Sequence, residues 1–277
     1  MTDTPLPGSN EAILLREDRD GVATLTLNRP DKFNALSSDL MGAVQDQMDA
    51  LMDDRTVKVV VIAANGRAFC AGHDLREMKA MDGREPLEAL FKQCSRMMTS
   101  LTRIPQPVIA RVHGVATAAG CQLVAQCDLA VAADQVRFAT SGINLGLFCA
   151  TPMVAVTRNL PRKQALEMLY TGDFITAETA RQYGLVNRVV PAEFLDRATD
   201  DLARTIADKS PRAIQFGKEL FYKQIEEGLD AAYELATETI IQNMLHADAQ
   251  AGVAAFLEKQ PMPQWQDLSK DPKDDDE

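Results

Sequence analysis

Three short apolar runs, "VKVVVIAA" (57 to 64), "PVIARV" (107 to 112) and "LAVAA" (129 to 133), constrain this chain more than any other feature. The first is apolar almost throughout, without the alternation that a strand with one wet face would show, so it is expected to be buried on both faces. Between the runs lie segments of helical spacing: one from about Pro86 to Thr102 and one from about Ala118 to Gln126. Strands alternating with helices imply an α/β domain with parallel pairing. Ahead of them, "AILLRED" and "GVATLTLN" flank a turn-prone "RDG" and read as a hairpin. Ser37 or Ser38 is expected to cap a helix carrying Leu40, Val44, Met48 and Leu51 on one face. Beyond about Pro191 strand signals stop, and helices over 191 to 208, 211 to 226 and 229 to 246 suggest a helical appendage, punctuated by Pro211 and Gly228.

The 277 residues carry a formal net charge of -11. Such a surface repels polyanions, which argues against a nucleic-acid partner. Five cysteines without a CxxC pair indicate neither a disulfide framework nor a zinc knuckle, and three scattered histidines offer no metal site. The start "MTDTPLPGSNEAILL" lacks a basic stretch leading into a long apolar run, and no membrane-length apolar segment follows. A cytoplasmic protein is the expectation, with a disordered start over 1–11 and an acidic tail over 263–277.

Two turns could carry chemistry. "FCAGHDL", Phe69 to Leu75, follows the first buried run, and "ATAAGCQL" follows the second. In each a glycine allows backbone to approach a ligand, and the start of a helix leaves N–H groups unpaired. Facing one another, two such donors would make an oxyanion hole for a carbonyl.

At this point the chain resembles the crotonase, or enoyl-CoA hydratase/isomerase, superfamily. The resemblance runs over about residues 12 to 260, through "LNRPDKFNAL" (27 to 36), "GRAFCAGHDLREM" (66 to 78), "PQPVIARVHGVATAAGCQLVAQCDLAVAADQVRFA" (105 to 139), "LPRKQALEMLYTGDFITAETARQYGLVNRVV" (160 to 190) and "AGVAAFLEK" (251 to 259). It implies a ClpP-like spiral of ββα units over 12–190, a C-terminal α-helical trimerisation region over 191–262, and a homotrimer or dimer of trimers. It also implies an acyl-CoA or enoyl-CoA ligand, no cofactor beyond that thioester, and lyase or isomerase chemistry. By position, the backbone N–H groups of His73 and Ala119 would hold the thioester oxygen. Lys32 and Ala35 would lie beside the CoA, Ala71, Gly72, Asp74, Leu75 and Gly120 would line the same tunnel, and Lys259 would reach a ribose phosphate in a neighbouring subunit.

The same resemblance exposes a gap. Hydration needs water activated toward Cβ and a proton delivered to Cα, work that two glutamates perform in the hydratases. Their positions are filled here by Gln122 and Gly142. An amide cannot take up a proton at neutral pH, and glycine offers nothing. Ordinary hydration is therefore not expected. The alternative is a non-catalytic module that binds or sequesters acyl-CoA.

Other candidates are weaker. The imidazole of His73 suits proton transfer, although its implied role is a backbone one. Cys121 and Cys149 flank the pocket but are expected to act as small hydrophobes. His113 reads as a hydrogen-bonded core residue, Asp128 as a structural acceptor, Asp74 also as a first-turn charge, and Glu77 as part of a solvated face. Met48, Met78, Met97, Met98 and Met168 read as core or acyl-pocket filling.

Overall fold

The computed structural model describes residues 12–265. The expected disordered start and most of the acidic tail lie outside them.

The hairpin forms as its sequence dictates. Strands β1 (Leu14–Arg19) and β2 (Val22–Leu27) pair antiparallel around Asp20 and Gly21, both at positive φ (52° and 76°), the geometry that an Asp-Gly turn supplies. Helix α1 (Ser38–Asp53) starts where the Ser37 hydroxyl accepts from the Leu40 N–H, and it buries Leu40, Val44, Met48 and Leu51. The three apolar runs become β3 (Val59–Ala64), β5 (Val108–Val112) and β7 (Leu129–Ala133), with every residue of β3 buried.

After each of these strands the chain makes a second, three-residue strand before its helix. These are β4 (Ala68–Cys70), β6 (Val115–Thr117) and β8 (Arg137–Ala139). Hydrophobic period alone reads such short pieces as loop, because three residues carry no usable alternation. They are followed by α2 (Leu75–Ala80) and α3 (Arg84–Arg103), by α4 (Ala119–Gln126), and by α5 (Ala150–Asn159) and α6 (Arg162–Thr171). A last turn supplies β9 (Ile175–Thr176), α7 (Ala177–Tyr183) and β10 (Arg188–Val190).

Two sheets result. The larger has the order β1-β2-β3-β5-β7-β10 and is parallel from β2 onward. The smaller has the order β4-β6-β8-β9. The pairs β3 and β4, β5 and β6, and β7 and β8 thus each contribute one strand to each sheet before a helix, the ββα unit.

Four helices close the chain: α8 (Leu195–Ala207), α9 (Pro211–Gln224), α10 (Leu229–Leu245) and α11 (Ala247–Leu257). The expected helical appendage from 191 begins later than its sequence suggests. Helix α8 packs on β3, β5 and β7 and buries Leu195, Thr199, Ala203 and Ala207, so it belongs to the sheet layer. Helix α9 packs on α3 and on α10, and α10 packs in turn on α11, with no side chain of α10 buried. Helical periodicity marks an apolar stripe but not the surface that receives it.

Candidate active site

The spiral brings the ends of β4 and β6 together, so that the turns after them touch. Gly72 adopts φ 99°, and a Cβ added there would lie 2.9 Å from the Ala118 Cβ and 3.4 Å from the Ala119 nitrogen. Gly120 is required by contact instead: its Cβ would fall 2.1 Å from the Cys70 carbonyl oxygen. Ala118, at φ 51° and ψ -120°, holds a conformation that L-residues rarely adopt. Such strain costs of order 1–3 kcal/mol and persists where the surroundings over-determine it.

Both turns are fastened from outside. The Leu36 N–H donates to the Gly72 carbonyl (2.8 Å) and the Asp74 N–H to the Leu36 carbonyl (3.1 Å), so His73 sits between two bonds that face Leu36. Successive N–H groups of extended backbone point to opposite sides, which directs the His73 N–H away from Leu36. The Ala118 N–H donates to the Ala139 carbonyl (2.9 Å). The Ala119 N–H opens α4, where first-turn donors have no partner in their own helix. Neither the His73 nor the Ala119 N–H meets an acceptor among the described residues.

Neither of the two positions expected to carry an acid holds a carboxylate. Gln122, one helical turn beyond Ala119, is 4% exposed, and its Oε1 is buried without a hydrogen-bond partner. Gly142 lies in the turn Ser141–Leu145, where a Cβ would meet the Leu147 oxygen at 2.6 Å and the Cys149 sulfur at 2.9 Å. Its φ is not in the left-handed region, so close approach and not backbone angle demands glycine. The Thr117 and Ser141 hydroxyls share a 2.5 Å hydrogen bond that ties this turn to β6.

The remaining titratable groups are subdued. Burial pushes the His73 imidazole below its ordinary value, with Glu77 opposing, and its ring meets Phe91 edge-on at 5.3 Å. Its Nε2 is buried and unpartnered. Burial raises the Cys121 thiol to about 12 and raises Cys149 as well, so neither is poised as a thiolate.

Several expectations need adjustment. Asp74 caps α2 through the Arg76 and Glu77 N–H groups, as a first-turn charge would, and pairs with Arg29 at 3.1 Å. Glu77 is not a solvated charge, since it accepts from the Ser38 N–H at 3.0 Å. His113 bonds the Gly66 carbonyl at 2.8 Å but is only half-buried, not a core residue. Leu75 is half-exposed, and Ala71 donates its N–H to the Phe33 carbonyl. Ala35 is buried beside the exposed Lys32. Lys259 is exposed just past α11, a helix that packs on α10.

Asp128 is the structural acceptor its position suggests, and it sits in a network the sequence did not reveal. It accepts from the Val108 N–H (2.6 Å), the Lys218 ammonium (2.7 Å) and the Tyr222 hydroxyl (2.7 Å). Lys218 spends its other two donors on the carbonyls of Leu101 and Gln106. Burial lowers the Lys218 pKa against the pull of Asp128, and burial followed by Asp128 raises that of Tyr222. This network pins α9 above a cleft of about 1270 Å³. The cleft runs between α3, α4, α5 and α9 and does not include His73 or Ala119 in its walls; Gln122, on the same helix as Ala119, lines it.

Among the described residues no helix is long and apolar enough to cross a membrane, and no group of three or more His, Cys, Asp or Glu side chains could hold a metal ion.

The enoyl-CoA hydratase/isomerase family model matches residues 17–268. A rat protein named enoyl-CoA hydratase domain-containing protein 3, mitochondrial, is 41% identical over 94% of this chain and 86% of its own. The crystal structure of human enoyl coenzyme A hydratase domain-containing protein 3 superposes with a TM-score of 0.88 at 42% identity, covering 91% of this chain and all of that one. An enoyl-CoA hydratase from Mycobacterium smegmatis gives a TM-score of 0.90 at 52% identity, covering 92% and 99%. These relatives carry the crotonase fold. The expectation of a cytoplasmic protein is overturned by the animal relatives, whose names place them in mitochondria. It rested on unpaired cysteines and on the lack of a secretory or membrane-length apolar pattern, which together indicate a reducing compartment without saying which one.

Proposed function

The chain belongs to the enoyl-CoA hydratase/isomerase family, and on that premise we propose that it binds an acyl-CoA thioester by its carbonyl oxygen and does not perform ordinary two-carboxylate hydration. The observation that carries this reading is the pair of unpartnered N–H groups, His73 and Ala119, on turns that touch at Gly72 and Ala118. Donors held in place before the ligand arrives need no reorganisation when it binds. The oxygen is accepted there, while positions 122 and 142 supply neither a general base nor a general acid. Loss of such help costs about 10²- to 10⁴-fold for each group. The thioester is the ligand and no further cofactor is invoked. Lys32 and Ala35 are assigned to the CoA end, with Ala71, Gly72, Leu75 and Gly120 shaping the passage.

Two versions remain, an enzyme that moves protons by other means and a module that only binds. The buried, unpartnered Nε2 of His73 is the group through which the first would move a proton. Hydration of crotonyl-CoA is followed by loss of the enoyl thioester absorbance, beside a binding titration with the same compound. Binding with no turnover is the expected result. Turnover above about 1 s⁻¹ refutes the argument from missing acids, and absence of binding refutes the thioester reading.

The assembly we propose is a homotrimer or a dimer of trimers built on the C-terminal helices, with Lys259 reaching a neighbouring subunit. In support, α10 and α11 expose Leu229, Tyr233, Leu245, Phe256 and Leu257, each at least 68% accessible. An apolar face of that extent on a folded chain marks an interaction surface. Sedimentation at micromolar concentration tests the assignment, and a monomer refutes it.

A further inference from the structure

We propose that the cleft between α3, α4, α5 and α9 takes an apolar chain ending in a carboxylate, and that Arg55 and Arg103 hold that carboxylate. Neither His73 nor Ala119 lines this cleft, so it stands apart from the thioester reading. At about 1270 Å³ it exceeds the roughly 300–1,000 Å³ usual for small-molecule pockets. Its walls leave large apolar side chains open, since Met52, Val154, Phe221 and Ile225 are each at least 43% accessible. Apolar surface gathered in one concavity marks a place for an apolar ligand.

Charge decides what the polar end of that ligand must be. Five cations line the cleft, and three are already spent: Arg158 pairs with Glu226 (3.1 Å), Lys223 with Glu219 (2.6 Å) and Lys218 with Asp128 (2.7 Å). Arg55 and Arg103 have no partner among the described residues. Asp53 is the lining acid outside those pairs, so two guanidiniums face one carboxylate and positive charge is in excess. The chain as a whole carries -11.

The two free guanidiniums stand at one end of the cleft. The Gln106 side-chain amide donates to the carbonyls of Leu51 and Asp54 (2.9 Å each), which ties the end of α1 to the end of α3, and Arg55 and Arg103 flank that tie in sequence. Cations near a helix C-terminus ordinarily answer its exposed carbonyls. Here the Gln106 amide serves those of α1 and the Lys218 ammonium serves Leu101 in α3, which leaves both guanidiniums for a ligand. A guanidinium grips a carboxylate through two parallel N–H bonds. The apolar chain then runs along the cleft toward α5 and α9, where Val154 and Phe221 stand.

The test is a calorimetric titration of the full chain with octanoate and with octan-1-ol, which share a chain length and differ in charge, repeated on the double variant Arg55→Gln, Arg103→Gln. Both arginines are exposed, so the fold is expected to survive. Wild type is expected to bind octanoate about tenfold more tightly than the alcohol, and the double variant to bind both alike. Arg84→Gln, at the opposite end of α3, should keep the wild-type preference. Two sources of the carboxylate are then separated. Octanoate binding unchanged by saturating butyryl-CoA assigns it to a free acid, whereas an about tenfold preference for octanedioyl-CoA over octanoyl-CoA, lost in the double variant, assigns it to the far end of a thioester's own chain. The assignment is overturned if wild type binds octanoate no better than octanol and octanedioyl-CoA no better than octanoyl-CoA, or if the double variant keeps whichever preference wild type shows.

Discussion

Adding one methyl group at Gly120 tests the central geometric argument, because its cost follows from three distances. The new carbon would lie 2.1 Å from the Cys70 oxygen, 2.7 Å from its carbonyl carbon and 2.8 Å from its Cβ. Ordinary van der Waals contact is about 3.5 Å, so the backbone after β4 and the start of α4 must part by roughly 1.4 Å. None of the relief can come from a flexible side chain, since the nearest atom belongs to backbone. Overpacking of a tight core costs about 1–3 kcal/mol, and this site falls at the upper end. For a chain of this size that lowers Tm by roughly 6 to 12 °C. The same displacement separates the His73 and Ala119 donors, and a 1 Å misplacement of a binding group costs on the order of 10²-fold. Gly217→Ala is the control. It adds the same methyl within α9, where nothing lies within 4 Å, and should stabilise by about 0.5–1 kcal/mol through helix propensity. Differential scanning calorimetry and butyryl-CoA titration read both variants. A Gly120→Ala protein that melts and binds like wild type would refute the claim that the two turns are in contact.

Two further outcomes follow from the buried charges. Lys218→Met leaves Asp128 without its cation and the carbonyls of Leu101 and Gln106 without donors, so urea unfolding should show a loss of about 3–5 kcal/mol. Pairing it with Asp128→Asn should cost less than the two single changes summed, because both act on one network. For His73, the folded-state pKa lies below the unfolded one, so the unfolded chain takes up a proton as pH falls through the ordinary histidine range while the folded chain resists. Stability contributed at neutral pH is therefore lost on acidification through that range. His73→Gln should flatten that part of the slope in urea midpoints between pH 7.5 and 5.5, and an unchanged slope would show the ring to be free to protonate.

The sequence by itself determined the local features. The Asp-Gly turn, a cap at Ser37 or Ser38, the continuous apolar run of β3 and helices from about Pro86 and Ala118, which begin in the structure at Arg84 and Ala119, follow from periodicity and turn chemistry, which act over a few residues. It also showed that no carboxylate occupies positions 122 and 142, since an absent side chain is legible without coordinates. Only the tertiary structure decided what touches what. Three-residue strands such as β4 and β6 are specified by the register they find with each other, not by their own pattern, and so they escaped notice. Gly120 reads in sequence as one more turn glycine, whereas in space it is the point where the Cys70 carbonyl passes. Glu77 reads as part of a solvated face until the Ser38 N–H is brought beside it, and nothing local pairs Asp74 with Arg29. Lys218 lies on an amphipathic helix 90 residues from Asp128, and no local signal marks it as a buried cation. The unpartnered oxygen of Gln122 belongs to the same class. Its residue type is plain in the sequence, but its lack of a partner is a property of everything folded around it.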